Sequence, residues 1–147
     1  MNKQVPLISS GVAGPLGVLH LPRFWQKCVL AAKGRLADGY PDCGKGFDQM
    51  TLDALGLNKD ETLKYLRTEL PSYTQFEAWI VKKKGGKPDK AAVEKHNAAV
   101  RGYNHDDATR TSILSASGVT DEGRIKDAVN LNNLDDWTEF HKELKTA

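Results

Sequence analysis

Only two cysteines, Cys28 and Cys43, occur in the 147 residues. They are too few for a disulfide framework and lack the paired spacing of a zinc site. No apolar run approaches the roughly 20 residues that a membrane-spanning helix requires, so no membrane is expected as a partner. Aromatics are sparse, at 7%. The formal net charge of +2 is too small to draw in nucleic acid. The one cationic run, KKKGGK at 82–87, lacks interleaved aromatics and reads as a solvated helix end followed by a loop. Alternating runs of β-branched residues are missing, which leaves no strands to build a sheet. Also missing are a G-x-S-x-G elbow and a dinucleotide fingerprint, and the GKG at 44–46 has neither the earlier glycine nor the preceding strand of a phosphate loop. No cofactor is expected. No H-x-x-x-H or E-x-x-H spacing pre-organises a metal, so none is expected either.

What is present is the composition of a soluble globular chain, with 39% apolar and 27% charged residues. The length suits one domain with a core of its own. Two cysteines without a framework point to a reducing cytoplasm. The segment 1–20 is broken by Pro6, Gly11, Gly14, Pro15 and Gly17. It carries no A-x-A cleavage pattern and reads as an irregular arm lying over the core, with a single helical domain over 21–147.

The organising stretch is 21–36. Leu21, Phe24, Trp25, Cys28, Ala32 and Leu36 recur at helical spacing, and Val29, Leu30 and Ala31 widen the stripe, so this helix should be buried, with Pro22 in its first turn. Arg23 and Lys27 lie on one side, one turn apart, and should emerge where neighbouring segments leave a gap. The alternative is that Arg23 merely extends to solvent. Further helices are expected after Asp48 as N-cap, after the capping boxes Asn58/Glu61 and Ser72/Gln75, after Asp89, after Asp106 or Asp107, after Thr120, and after Asn133 with Asp136. In the last, Leu134, Trp137, Phe140 and Leu144 are expected to form the buried stripe. The expectation is an all-α bundle of about eight helices.

Groups able to move protons fall in four places: His20 with Arg23; Tyr40, Asp42, Cys43 and Asp48; Tyr73 with Glu77; and the segment 96–110. His96 lies one turn from Val93 and Val100, so it points inward, as a satisfied core histidine or as part of a cleft. His105, Asp106 and Arg110 stand at a helix start that would suit a carboxylate or phosphate, unless Asp106 and Asp107 already cap it. Glu77, between Tyr73 and Trp79, would have its pKa raised if held against the aromatics; the simpler alternative is an exposed Glu that supports the first turns of its helix. Cys43 could be activated by Lys45 or a nearby helix start.

At LPRFW (21–25), GKGFD (44–48), FEAWI (76–80), HNAAVRGYNHDDATR (96–110) and NLNNLDDWTEFH (130–141), the chain resembles a family of small bacterial all-helical proteins known only as a domain of unknown function. The resemblance covers nearly the whole chain after about residue 15. It implies a helical fold and a cytoplasmic setting, and no activity. It draws interest to the polar residues inside those segments, Arg23, Asp48, Glu77, His96, Asn97, His105, Asp106 and Arg110.

The leading expectation is one cleft beside the first helix that binds, or acts by acid/base chemistry on, a small anionic molecule. His96, His105, Glu77 and Asp48 would move protons. Arg23, Arg110, Asn97, Tyr73 and Trp25 would hold the substrate. Cofactor-independent hydrolysis, elimination or isomerisation suits this set. The second expectation is a non-catalytic interaction module or homodimer meeting its partner through Trp25, Trp79, Trp137 or the arm.

Overall fold

A computed structural model describes residues 2–146. Among these the structure is all-α, with seven helices and no strand: α1 (Leu21–Ala32), α2 (Phe47–Leu55), α3 (Lys59–Glu69), α4 (Tyr73–Lys84), α5 (Lys90–Gly102), α6 (Asp107–Ser117) and α7 (Ala128–Thr146). Helix α1 packs against α2, α3 and α4. Helix α5 bridges α2 to α7, and α6 lies along α7. The core is made where α1 presents Leu21, Phe24 and Cys28 to Leu52 and Leu55 of α2, Leu63 and Leu66 of α3, and Phe76 and Ile80 of α4. None of the described helices is long and apolar enough to cross a membrane.

Several helix starts follow from local chemistry. Asn58 Oδ1 accepts from the Glu61 N–H. Ser72 and Gln75 form a reciprocal capping box, and Asp89 and Asp106 cap α5 and α6. Such caps satisfy amide donors that have no carbonyl partner in the first turn.

Four expectations are corrected. Helix α1 stops at Ala32 rather than Leu36: Gly34 turns left-handed at φ 66°, and Leu36 pairs instead with Gln4 of the arm in a parallel bridge. Asp48 is not the N-cap of α2; Gly46 is, and Asp48 stands in the first turn with its carboxylate turned inward. No helix follows Thr120. Val119 to Asp127 runs without helix, and Asn104 bridges Asp127 in antiparallel fashion, so that His105 N–H donates to the Lys126 carbonyl and Ala128 N–H to that of Tyr103.

The last helix, finally, begins at Ala128, with Asp127 accepting from the Asn130 N–H, and not near Asn133. Its inward face is Ala128, Leu131 and Asp136. Trp137, Phe140 and Leu144 are left 57%, 41% and 60% exposed. The apolar spacing is there, but the ion pair of Asp136 with Arg23 turns the other face inward.

The arm is held closely. Arg23 donates to the Pro6 and Ile8 carbonyls, and Asn97 both accepts from Leu19 N–H and donates to the Gly17 carbonyl. Gly14 lies against α4, where an added Cβ would come within 2.4 Å of the Tyr73 ring, so no larger residue fits there.

Candidate functional site

Of the ten buried polar side chains among the described residues, six line a single cavity of about 480 Å³: Ser10, His20, Arg23, Lys27, Asp48 and Asp136. Burying charged groups away from water is costly unless they are paired, so their concentration at one hollow marks the place to build from. Helix α1 supplies one wall, the start of α2 a second, and α7 a third, while the arm contributes Ser10.

His20 precedes α1 at its N-cap, a position that favours Ser, Thr, Asp or Asn. Its ring caps nothing. Its backbone is left-handed, φ 73° and ψ −21°, a conformation that costs a non-glycine residue on the order of 1 kcal/mol or more and persists where surroundings over-determine it. Those surroundings are two hydrogen bonds to the ring: Ser10 Oγ lies 2.8 Å from Nδ1, and Asp48 Oδ1 lies 2.6 Å from Nε2. The other Asp48 oxygen accepts from Lys27 Nζ at 2.5 Å and from the Gly44 N–H at 2.7 Å. Burial alone would raise the Asp48 carboxyl, but the His20 hydrogen bond and the Lys27 charge outweigh it and hold the group below its ordinary range. Burial lowers the His20 pKa against the pull of Asp48, so the imidazole is neutral near pH 7.

These charge states fix the tautomer. An ionised carboxylate only accepts, so the single N–H of neutral His20 sits on Nε2 and points at Asp48. Nδ1 is then the bare nitrogen, and it accepts the Ser10 hydroxyl.

The second pair lies alongside. Arg23 grips Asp136 with both terminal nitrogens, at 2.6 and 3.0 Å, a bidentate charge-assisted arrangement. Tyr40 donates its hydroxyl to Asp136 at 3.2 Å, and the Arg23 guanidinium lies 6.0 Å from the Tyr40 ring centroid. Burial, followed by the negative charges of Asp136 and Asp135, raises the Tyr40 phenol. Burial also raises Asp135, whose neighbour Asp136 adds to the effect.

Where α2 begins, the N–H groups of Phe47, Asp48 and Gln49 precede the first helical bond, Met50 N–H to Gly46 carbonyl. Gly46 has no side chain to cap them. Lys45 beside them is exposed and borders the cavity.

Of the residues expected at the cleft, Asp48, Arg23 and His105 line this cavity, His105 with Nε2 2.8 Å from Asn132 Oδ1. Arg23 does not extend to solvent; it is buried. The others are placed elsewhere. His96 is buried, with Nε2 2.9 Å from the Leu19 carbonyl and 3.4 Å from Thr51 Oγ1. It is a core histidine that fastens the arm to α5 and α2. Glu77 accepts from the Tyr73 hydroxyl and the Leu16 N–H. Asn97 is spent on the arm, and Trp25 donates to the Pro71 carbonyl. Arg110, at the start of α6, pairs with Asp107 and Asp121 and does not line the cavity. Burial, followed by the negative charge of Asp48, raises the Cys43 thiol.

Not expected at the cleft were Ser10, Asp135 and Asp136; Lys27 was expected beside Arg23 at a gap, and His20 and Tyr40 among the groups able to move protons, without a role for any of the three at the cleft. One signal could have found His20's central role: it occupies a capping position without a capping side chain. Among the described residues, no three His, Cys, Asp or Glu side chains converge as a metal ligand set. No family model matches the chain, and no curated protein matches it.

Proposed function

We propose that the cavity between α1, the start of α2 and α7 binds a small molecule bearing an anionic group, in a cytoplasmic protein, and that His20 serves there as an acid/base group. The gathering of six buried polar residues, from the arm, α1, α2 and α7, around one cavity carries this reading. Structural ion pairs alone would be scattered, as those of Lys3 with Asp38 and of Lys142 with Glu139 are on the surface. The unfilled amides at the start of α2, with their partial positive charge, and the ammonium of Lys45 favour a carboxylate or phosphate. Asp135 on the opposite wall suits a hydroxyl or amine at the other end of the same molecule.

Titration with inorganic phosphate, followed by amide chemical shifts, tests the reading. Saturable shifts should concentrate at residues 44–49, and Lys45→Ala should weaken the affinity roughly fivefold, the effect of about 1 kcal/mol from one exposed cation. Shifts spread evenly over surface lysines, with no change in Lys45→Ala, would overturn it.

A second reading is favoured by the exposed stripe Trp137, Phe140 and Leu144 on α7, which Leu7 of the arm extends. Glu139, Lys142, Glu143 and Lys145 flank the stripe with both signs of charge, so two copies of α7 packed antiparallel would match charges as well as apolar surface. Light scattering on a sizing column should then give twice the monomer mass, reverting to monomer in Trp137→Glu. A monomer across the micromolar range would remove this reading.

A further inference from the structure

The hydrogen-bonded chain Ser10–His20–Asp48 is more specific than anion binding requires. A hydroxyl, an imidazole and a carboxylate stand in line, at 2.8 and 2.6 Å, and all three border the same cavity. The backbone at His20 is held in a costly conformation to make this possible. We infer that Ser10 is a nucleophile, with His20 Nδ1 as its general base and Asp48 as the residue that positions and orients His20, and that the cavity takes an ester or thioester of a small acid that carries an anionic group. The inference rests on the cavity's being open to small molecules, as the proposed function holds.

The chemistry balances with water as the only co-reactant. Ser10 Oγ bonds to the acyl carbon while its proton passes to His20 Nδ1. The tetrahedral oxyanion collapses, the bond to the alcohol or thiol breaks, and His20 returns the proton to that leaving group. Water then attacks the Ser10 ester and gives a proton to Nδ1. Collapse releases the acid and restores the Ser10 hydroxyl. His20 uses the opposite ring nitrogens from the familiar serine-hydrolase arrangement, with the carboxylate on Nε2. The logic is unchanged, because the base must be the nitrogen without a proton. A solely structural account, in which Ser10 ties the arm to α1, predicts an ordinary unreactive hydroxyl.

A fluorophosphonate reagent separates the two. With the intact wild-type chain, Oγ–P forms and P–F breaks, fluoride leaves, and the hydroxyl proton passes through His20 to solvent. Peptide mapping should find the adduct on Ser10, formed on the order of a hundredfold faster than on neighbouring Ser9, the scale of general-base assistance. The rate should level off at a pH below the ordinary histidine value, because burial lowers the His20 imidazole and it is already neutral there. A hydroxyl ionising unaided would go on accelerating with every pH unit. Ser10→Ala should abolish the label. Asp48→Asn should slow it and move the pH midpoint downward, because the imidazolium loses its carboxylate.

Labelling at Ser10 that inorganic phosphate slows supports both the inference and the binding reading. Phosphate shifts at 44–49 without any label on Ser10 overturn the nucleophile alone, and a label without phosphate binding overturns the anion preference alone. Neither label nor shifts would show a closed cavity and overturn both.

Discussion

Replacing Arg23 with methionine is expected to cost about 3–5 kcal/mol, the usual loss when one partner of a buried ion pair is removed and the other stays charged. Both side chains are more than nine-tenths buried. The variant would leave Asp136 facing only the Tyr40 hydroxyl, and would release the Pro6 and Ile8 carbonyls that Arg23 also satisfies. For a chain of this size such a loss lowers Tm by roughly 10–20 °C. Thermal unfolding by circular dichroism measures it. The paired variant, Arg23→Met with Asp136→Leu, should recover the part of the loss due to the stranded carboxylate, since an apolar pair of similar volume can replace a buried ion pair, while the Pro6 and Ile8 carbonyls stay without their donor. If the single variant melted within about 2 °C of wild type, the pair would be contributing little.

Lys27→Met should have a loss of similar size, and its pH dependence tells more. In the native protein the Asp48 carboxyl lies below its ordinary range, so the unfolded chain binds more protons there in acid. That stability is fully present above the unfolded pKa of about 3.9 and is lost as pH falls through the folded value. Without Lys27, burial, already the largest single influence on Asp48, has one fewer opponent, and the folded pKa should rise. If it rises above 3.9 the sign reverses, because the folded state then takes up the proton first and the variant recovers stability as pH falls. Denaturant melts at pH 7 and pH 4.5 should therefore show the gap between Lys27→Met and wild type narrowing in acid. A gap that widened would mean that Asp48 stays ionised without its ammonium partner.

The helices that open on a polar side chain three residues ahead of a backbone amide, at Asn58, Ser72, Asp89 and Asp106, were legible because a cap is a local device. Arg23 and Lys27 were legible as a pair because one turn of an apolar helix exposes its interruptions. His96 is expected to point inward, and it does; Glu77, for which an exposed place in the first turns of its helix is the simpler expectation, is buried as well. Periodicity gives a direction from the helix axis but not which hollow lies there, and both groups turned out to be spent on the arm. Asp136, expected with Asn133 at the cap of the last helix, was not legible as an ion-pair partner, for another reason. Its partner is 113 positions away, and the local pattern at Trp137, Phe140 and Leu144 argued for the opposite face of α7. Ser10 stands in a segment with no period at all, where a serine carries no sign of what it meets.

That separation of 113 positions also bears on how the chain is made. The guanidinium is synthesised 113 positions before its carboxylate, so until α7 leaves the ribosome α1 must carry an uncompensated cation on the surface it will later bury. Contacts this distant along the chain form late and slowly. The α1–α4 cluster can therefore condense around Phe24 and Phe76 first, and the hollow acquires its third wall only when α7 docks.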